Sequence, residues 1–263
     1  MIVFAAIVPH SPLLVPTIGK EHRQKLAGTT AAIAEIEQAL YLSKPDTICI
    51  MAPHGSRYPD AFSINLAQKY SGNFKAFGDF STVVEAKGDF LMIDHLQRKL
   101  REENVPFTLT SNEELDYSFS VPILLLTTHL TNWKLIPVSP SMHDGKSHYD
   151  FGTQLKRILH AEERRVAVIA SADLSHKVTK DSPGGATPEG EKFDAAMVEF
   201  AVANKPDQLF ALPPDIIENA SQCGYRPIMT LLGTLNEINV TPKKLCYEAP
   251  FGVGYLTVRY DIV

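Results

Sequence analysis

The chain has 263 residues, 44% of them hydrophobic and 21% charged, the proportions of an ordinary soluble globular protein. A formal charge of -5 and a pI near 6.0, with acidic and basic residues interspersed, give no basic footprint for nucleic acid or an anionic membrane surface. The apolar runs are too short for a membrane span. Three scattered cysteines (Cys49, Cys223 and Cys246) form neither a CxxC pair nor a disulfide framework, so a cytoplasmic, reducing location is expected.

The first residues read as a strand and lack the features of a secretory leader. Ile2 to Val8 is a continuous apolar run, the pattern of a strand covered on both faces. From His22 to Lys44, Leu26, Ile33, Ile36, Leu40 and Leu42 fall largely on one helical face, and Lys44-Pro45-Asp46 breaks the pattern. Thr47 to Ala52 is a second buried strand. AFSINLAQKY reads as a further strand, and DFSTVVEAKGDFLMIDHLQRKLREEN as a strand or loop running into an amphipathic helix. VPILLLTTHL fits helix or strand by period alone and is read as a helix packed under the sheet. WKLIPVSP and RRVAVIASADLSH read as core strands on either side of the helix HYDFGTQLKRILHAEE. A Gly/Pro-rich loop, KDSPGGATPEG, leads into the helix EKFDAAMVEFAVAN. Another helix starts near Gly224 to Arg226, and LCYEAPFGVGYLTVRYDIV is strand-like with glycine punctuation. No internal repeat, low-complexity linker or composition shift marks a boundary, so one α/β domain over residues 1–263 is the simplest assignment.

In open α/β sheets, ligands bind in the crevice beyond the carboxyl ends of the strands. Two apolar runs stop on Pro9-His10 and Pro53-His54, and VAVIASADLS ends on His176. If the three strands are parallel neighbours, their imidazoles converge on one edge of the sheet. A lone histidine beside proline at a strand end is more often a hydrogen-bonded loop residue, but two matched endings require a common cause. His22, His95, His129, His148 and His160 fall on helix-like segments and read as surface or helix-packing residues. His143, in the loop SMHDG, could line a cleft. Two imidazoles suit zinc, copper or ferrous iron. Adding one carboxylate gives the facial triad of non-heme iron, whereas a thiolate shifts preference toward zinc or Cu(I). The third ligand therefore decides much.

Taken in order, VPHSPLL, APHG, SADLSH, QCGYRP and YEAPFGVGY give a chain that resembles the class III extradiol ring-cleavage dioxygenases. It is most similar to their catalytic B-subunit family and the related Memo-like proteins, over essentially the whole length from His10 to Tyr255. The resemblance implies a single α/β domain around a mixed, largely parallel central sheet flanked by helices. It also implies Fe(II) that binds a catechol-type diol through adjacent hydroxyls and activates O2 to split the ring beside them. His10 and His54 match the two histidine ligands. His176 matches the second-sphere histidine that serves as acid/base, a task suited to an imidazole titrating near the operating pH.

Two departures from the family pattern stand out. Where many relatives have Asp-His-Gly, this chain has Asp116-Tyr117-Ser118. The phenol of Tyr117 can hydrogen-bond substrate, but with an ordinary pKa of about 10 it is a poor base. Dioxygenase relatives supply a carboxylate close to CGxRP, whereas here Gln222 precedes Cys223. Memo-like proteins use a cysteine in this neighbourhood, so Cys223 is the first choice for third ligand, ahead of Glu248 and then Glu218. Cys223 also reads as an inert buried thiol at a helix start, its pKa lowered by the helix dipole. Glu248 could pair with Arg226 or cap a turn before Pro250. Asp173 could orient His176 or a neighbouring backbone amide, or cap the following turn. Gly252 and Gly254 lack GxGxxG spacing and read as positions of tight backbone approach.

The leading expectation is a metal-dependent oxidoreductase acting on a small aromatic diol and O2, with Fe(II) as cofactor. The alternative is a Memo-like copper- or zinc-binding or regulatory protein that keeps the scaffold without ring cleavage. Metal-assisted hydrolysis has no positive feature behind it. Apolar helix faces could support a homo-oligomer.

Overall fold

An apolar strand with no polar face is stable only between two covering layers, and the chain supplies both. The computed structural model describes residues 1–263. The strands are β1 (Ile2–Val8), β2 (Thr47–Met51), β3 (Phe62–Asn65), β4 (Lys69–Phe74), β5 (Asp79–Lys87), β6 (Phe107–Thr110), β7 (Glu114–Leu115), β8 (Lys134–Ser139), β9 (Val166–Ser171), β10 (Val240–Glu248) and β11 (Tyr255–Ile262). The helices are α1 (Pro16–Gly19), α2 (Ala27–Ser43), α3 (Phe90–Glu102), α4 (Tyr117–Leu126), α5 (Gly145–Ala161), α6 (Pro188–Ala196), α7 (Pro206–Phe210), α8 (Pro214–Asn219) and α9 (Tyr225–Thr234).

The main sheet runs β10-β11-β1-β9-β2-β8-β3-β6. Its centre, β1, β9, β2 and β8, is parallel, while β11 is antiparallel to β1 and β3 is antiparallel to β8. This is the expected single-domain α/β fold with a mixed, largely parallel sheet. Ala5 and Ile7 of β1 face a core shared with α3, α5, α6 and α9, whereas Phe4, Ala6 and Val8 face one shared with α2 and α4. Each large aliphatic side chain removed from water in these layers contributes about 2 kcal/mol. No helix is long and apolar enough to cross a membrane.

Several elements differ from the sequence reading. The helix expected from His22 is a 3-10 stretch over Lys20–Leu26 followed by α2, because Leu26 leaves the helical region at φ -108° and ψ 25°. AFSINLAQKY is two strands in two sheets. β3 pairs with β6 and β8, whereas β4 joins the small sheet β5-β4-β7, and the Gly88 N–H pins the crossing by donating to Gln68 O at 2.9 Å. The helix expected in VPILLLTTHL is α4, capped by Asp116, which accepts the Ser118 N–H at 2.8 Å. His129 lies beyond the end of α4, with Nδ1 2.7 Å from Glu37 Oε1.

Register sets up the site. Ile7 of β1 and Met51 of β2 both pair with Ala170 of β9, so the three strands end level. His10, His54 and Asp173 each lie three residues beyond that row.

Candidate metal centre

Past the level strand ends, each turn is tied to a neighbour. The His10 N–H donates to Asp173 Oδ1 at 2.9 Å, so of the roles expected for Asp173 it takes that of orienting a backbone amide. His10 Nδ1 lies 3.0 Å from Ser171 Oγ, and the Ser171 hydroxyl donates onward to Ser118 O at 2.5 Å. With that hydrogen committed, Ser171 offers His10 only a lone pair. Nδ1 therefore carries the ring hydrogen and Nε2 keeps its lone pair.

That Nε2 faces Cys223, whose Sγ is 3.4 Å away, with Asp173 O a second acceptor for the thiol at 3.5 Å. Gly224 permits the approach. A Cβ there would lie 2.7 Å from Asp173 O and 2.9 Å from the Ala172 Cβ, so only glycine lets the start of α9 close on the end of β9. Gln222 caps α9 by accepting the Tyr225 N–H at 2.8 Å. The His54 ring stands at 87° to that of His10, with centroids 5.3 Å apart. The ligand atoms of His10, His54 and Cys223 all lie within 4.8 Å of one another. A tetrahedral ion bound to imidazole nitrogen and thiolate sulfur separates those donors by about 3.6 Å, close to the observed Cys223–His10 distance. The donor set fits a metal.

The other expected third ligands are elsewhere. Glu248, at the end of β10, accepts the Thr29 N–H at 2.7 Å near the start of α2. Glu218, on α8, lines a separate cleft with His143, Gln222 and Arg226.

Burial dominates the electrostatics. It pushes His10 down to about 3 and His54 to about 4, so both imidazoles are neutral at neutral pH, as metal ligation requires. Burial also pushes the Cys223 thiol up, and the Asp173 charge adds to it, which overrides the lowering expected from the helix dipole. Sγ becomes a strong donor when a cation displaces its proton. Asp173 is raised to about 6, again by burial. Tyr117 stacks on His54 with centroids 5.2 Å apart, and burial raises its phenol, which therefore stays protonated at neutral pH.

The loop carrying His176 is held from three sides. The Leu174 N–H donates to Gly254 O at 2.8 Å and the Gly254 N–H to Ser175 O at 2.9 Å. The Ser175 N–H donates to Asp194 Oδ1 at 2.8 Å, and the His176 N–H to Ala220 O at 3.1 Å. Asp194 occupies the space a Cβ on Gly254 would need, the tight approach expected of that glycine. The His176 ring lies within electrostatic reach of His10 and Asp173, and its Nδ1 is buried without a partner. Ser171 and Asp194 were not anticipated. Ser171 lies inside the quoted SADLSH, whereas Asp194 sits on α6 with no local motif to reveal it.

The family model for the catalytic LigB subunit of aromatic ring-opening dioxygenase matches residues 4–258. A Clostridium acetobutylicum protein that carries no functional name is 28% identical over 97% of this chain and 56% of its own length. A MEMO1 family protein of Methanococcus maripaludis is 24% identical over 71% of this chain and 62% of its own length. Another MEMO1 family protein, from Methanococcoides burtonii, is 22% identical over 97% and 86%. The chain thus spans between half and two thirds of the first two relatives. An uncharacterized protein from Escherichia coli shares the fold, with a TM-score of 0.67 at 14% identity, covering 98% of this chain and 99% of that one. With its family model matched across nearly the whole length, this chain belongs to the family of the catalytic LigB subunit of aromatic ring-opening dioxygenases.

Proposed function

We propose that this chain is a metal-dependent extradiol-type dioxygenase that opens the ring of a catechol-type diol with O2, its metal held by His10, His54 and Cys223. The observation that carries the reading is the convergence of these three donors at the level ends of β1, β2 and β9, in a chain of a ring-opening family. Ferrous iron, when bound, supplies Lewis acidity toward the diol and electrons toward dioxygen. Both oxygen atoms of O2 enter the ring-opened product, so no external reductant is needed.

The protein's own part is positional and acid–base. Ser171 and Asp173 hold the His10 imidazole with Nε2 available, through Nδ1 and the backbone N–H respectively. His176, with an unpartnered buried Nδ1, receives a proton from a substrate hydroxyl and returns it to the product. Tyr117, protonated and stacked on His54, donates a hydrogen bond to a substrate oxygen and restrains the His54 ring.

The test is to load the chain with Fe(II), Zn(II) or copper without air, then add catechols and O2. Ring-cleavage absorbance with matching O2 uptake is expected for iron alone. Silence across a broad catechol panel, with iron demonstrably bound, overturns the proposal.

One observation favours a second reading, a Memo-like copper- or zinc-binding protein without ring cleavage. The third donor is a thiol, and a thiolate with two imidazoles suits zinc or copper better than it suits ferrous iron. Copper or zinc in the isolated protein, with a metal–sulfur distance in X-ray absorption and no turnover after iron loading, would favour it.

A further inference from the structure

His54 has a second neighbourhood. It forms one wall of a cleft of about 290 Å³, whose other walls come from the segment after β2, the ends of β3 and β6, and the turn into α4. Small-molecule sites are mostly apolar, yet only two of the twelve residues around this cleft are hydrophobic. Two residues of its wall, Asn65 and Thr110, each carry a polar atom, Oδ1 and Oγ1, that is buried just behind the surface and has no partner. The Asn65 amide is oriented by its Nδ2, which donates to Asn112 O at 2.7 Å and leaves the oxygen as the unused acceptor. Ser56 Oγ accepts the Asn112 Nδ2 hydrogen at 3.2 Å. A buried polar atom without a partner is costly, and a ligand donor would relieve that cost.

The charge of the wall is one-sided. Glu114 and Asp116 carry it, and no Lys or Arg contributes. Arg57, whose charge reaches His54, is exposed and outside the wall. An anionic group in the cleft would face two carboxylates with no cation to offset them. A hydroxyl or ammonium group would instead find acceptors in the two carboxylates and, once a small side-chain shift uncovers them, in Asn65 Oδ1 and Thr110 Oγ1.

We infer that this cleft is a specificity subsite for a hydrogen-bond-donating, neutral or cationic substituent of the ligand whose diol sits at the metal centre. The inference rests on the diol reading of that centre and names its substrate class. His54 is common to both places, so on this proposal the diol sits on one side of its imidazole and the substituent reaches around the ring into the cleft.

The test is calorimetric titration of the metal-loaded full chain, without O2, with catechols carrying an aminoethyl, hydroxyethyl or carboxymethyl group. Unsubstituted catechol is the reference. The aminoethyl and hydroxyethyl compounds are expected to bind about tenfold more tightly than the carboxymethyl compound. Asn65→Leu combined with Thr110→Val should bring the series to within about twofold, with catechol itself bound as before. Glu114→Gln, at an exposed position, should weaken the aminoethyl compound alone. Equal or tighter binding of the carboxymethyl compound, or a preference that survives the substitutions, overturns the subsite and leaves the metal-site reading standing. Failure of catechol itself to bind the metal-loaded chain overturns the diol reading, and the subsite with it.

Discussion

His10 donates its ring hydrogen to Ser171, across 3.0 Å from Nδ1 to Oγ, because the Ser171 hydroxyl is already committed to Ser118 O. Ser171→Ala removes this acceptor and frees the imidazole to change tautomer. Metal affinity should fall by about 10- to 100-fold, measured by competition with a chelator. Unchanged affinity would show that the tautomer is set in some other way.

His10→Ala and His54→Ala each delete one of three donors. Bound metal, measured by elemental analysis after dialysis, should drop to about a tenth or less of wild type, with the far-ultraviolet circular dichroism intact. If neither variant loses metal, the centre lies elsewhere and both functional readings fail.

On the proposed donor set, Cys223 is the ligand that discriminates between metals. Cys223→Asp converts the proposed donor set to two histidines and a carboxylate, so occupancy by ferrous iron should rise relative to zinc and copper, read in a competition experiment. Cys223→Ser should weaken all three metals and abolish the sulfur shell in X-ray absorption. An unchanged metal preference in both variants would exclude the thiol from the centre.

His176→Asn should keep the metal, since it contributes no donor to the cluster, but lose proton transfer. A turnover loss of about 10²- to 10⁴-fold is expected, together with loss of one limb of the pH–rate profile. Metal loss in this variant, or wild-type turnover, contradicts the acid–base role.

Asp194 accepts the Ser175 N–H at 2.8 Å and the Tyr247 hydroxyl at 2.7 Å, and burial raises its carboxyl from 3.8 to about 7. The folded-state value lies above the unfolded one, so its contribution is fully present below about pH 4 and is lost as pH rises through about 7. Asp194→Asn should gain on wild type over that window by an amount on the order of 4 kcal/mol, measured by urea unfolding of the metal-free chain. Comparing the two proteins at each pH cancels the buried histidines they share, such as His148, pushed down to about 4. A difference that is flat with pH would mean that Asp194 is ionised in the fold throughout.

Much of the site is written locally. Strands without a polar face, paired Pro-His endings and SADLSH are patterns within a few residues, because burial and chain breaking act at that range. Local pattern could not choose among Cys223, Glu248 and Glu218. Glu248 is drawn away by the Thr29 N–H, and Cys223 reaches His10 only because Gly224 lets α9 dock on Asp173. The break in AFSINLAQKY was hidden for the same reason, since each half is strand-like and only its partners differ.

By itself, the sequence determined which residue types end which strands, since periodicity records how each side chain is covered. Tertiary structure alone decided that Ile7 and Met51 share Ala170 as partner, and so that His10 and His54 converge beside Cys223. Strand register and helix docking depend on contacts between residues far apart in the chain, and no local pattern encodes them.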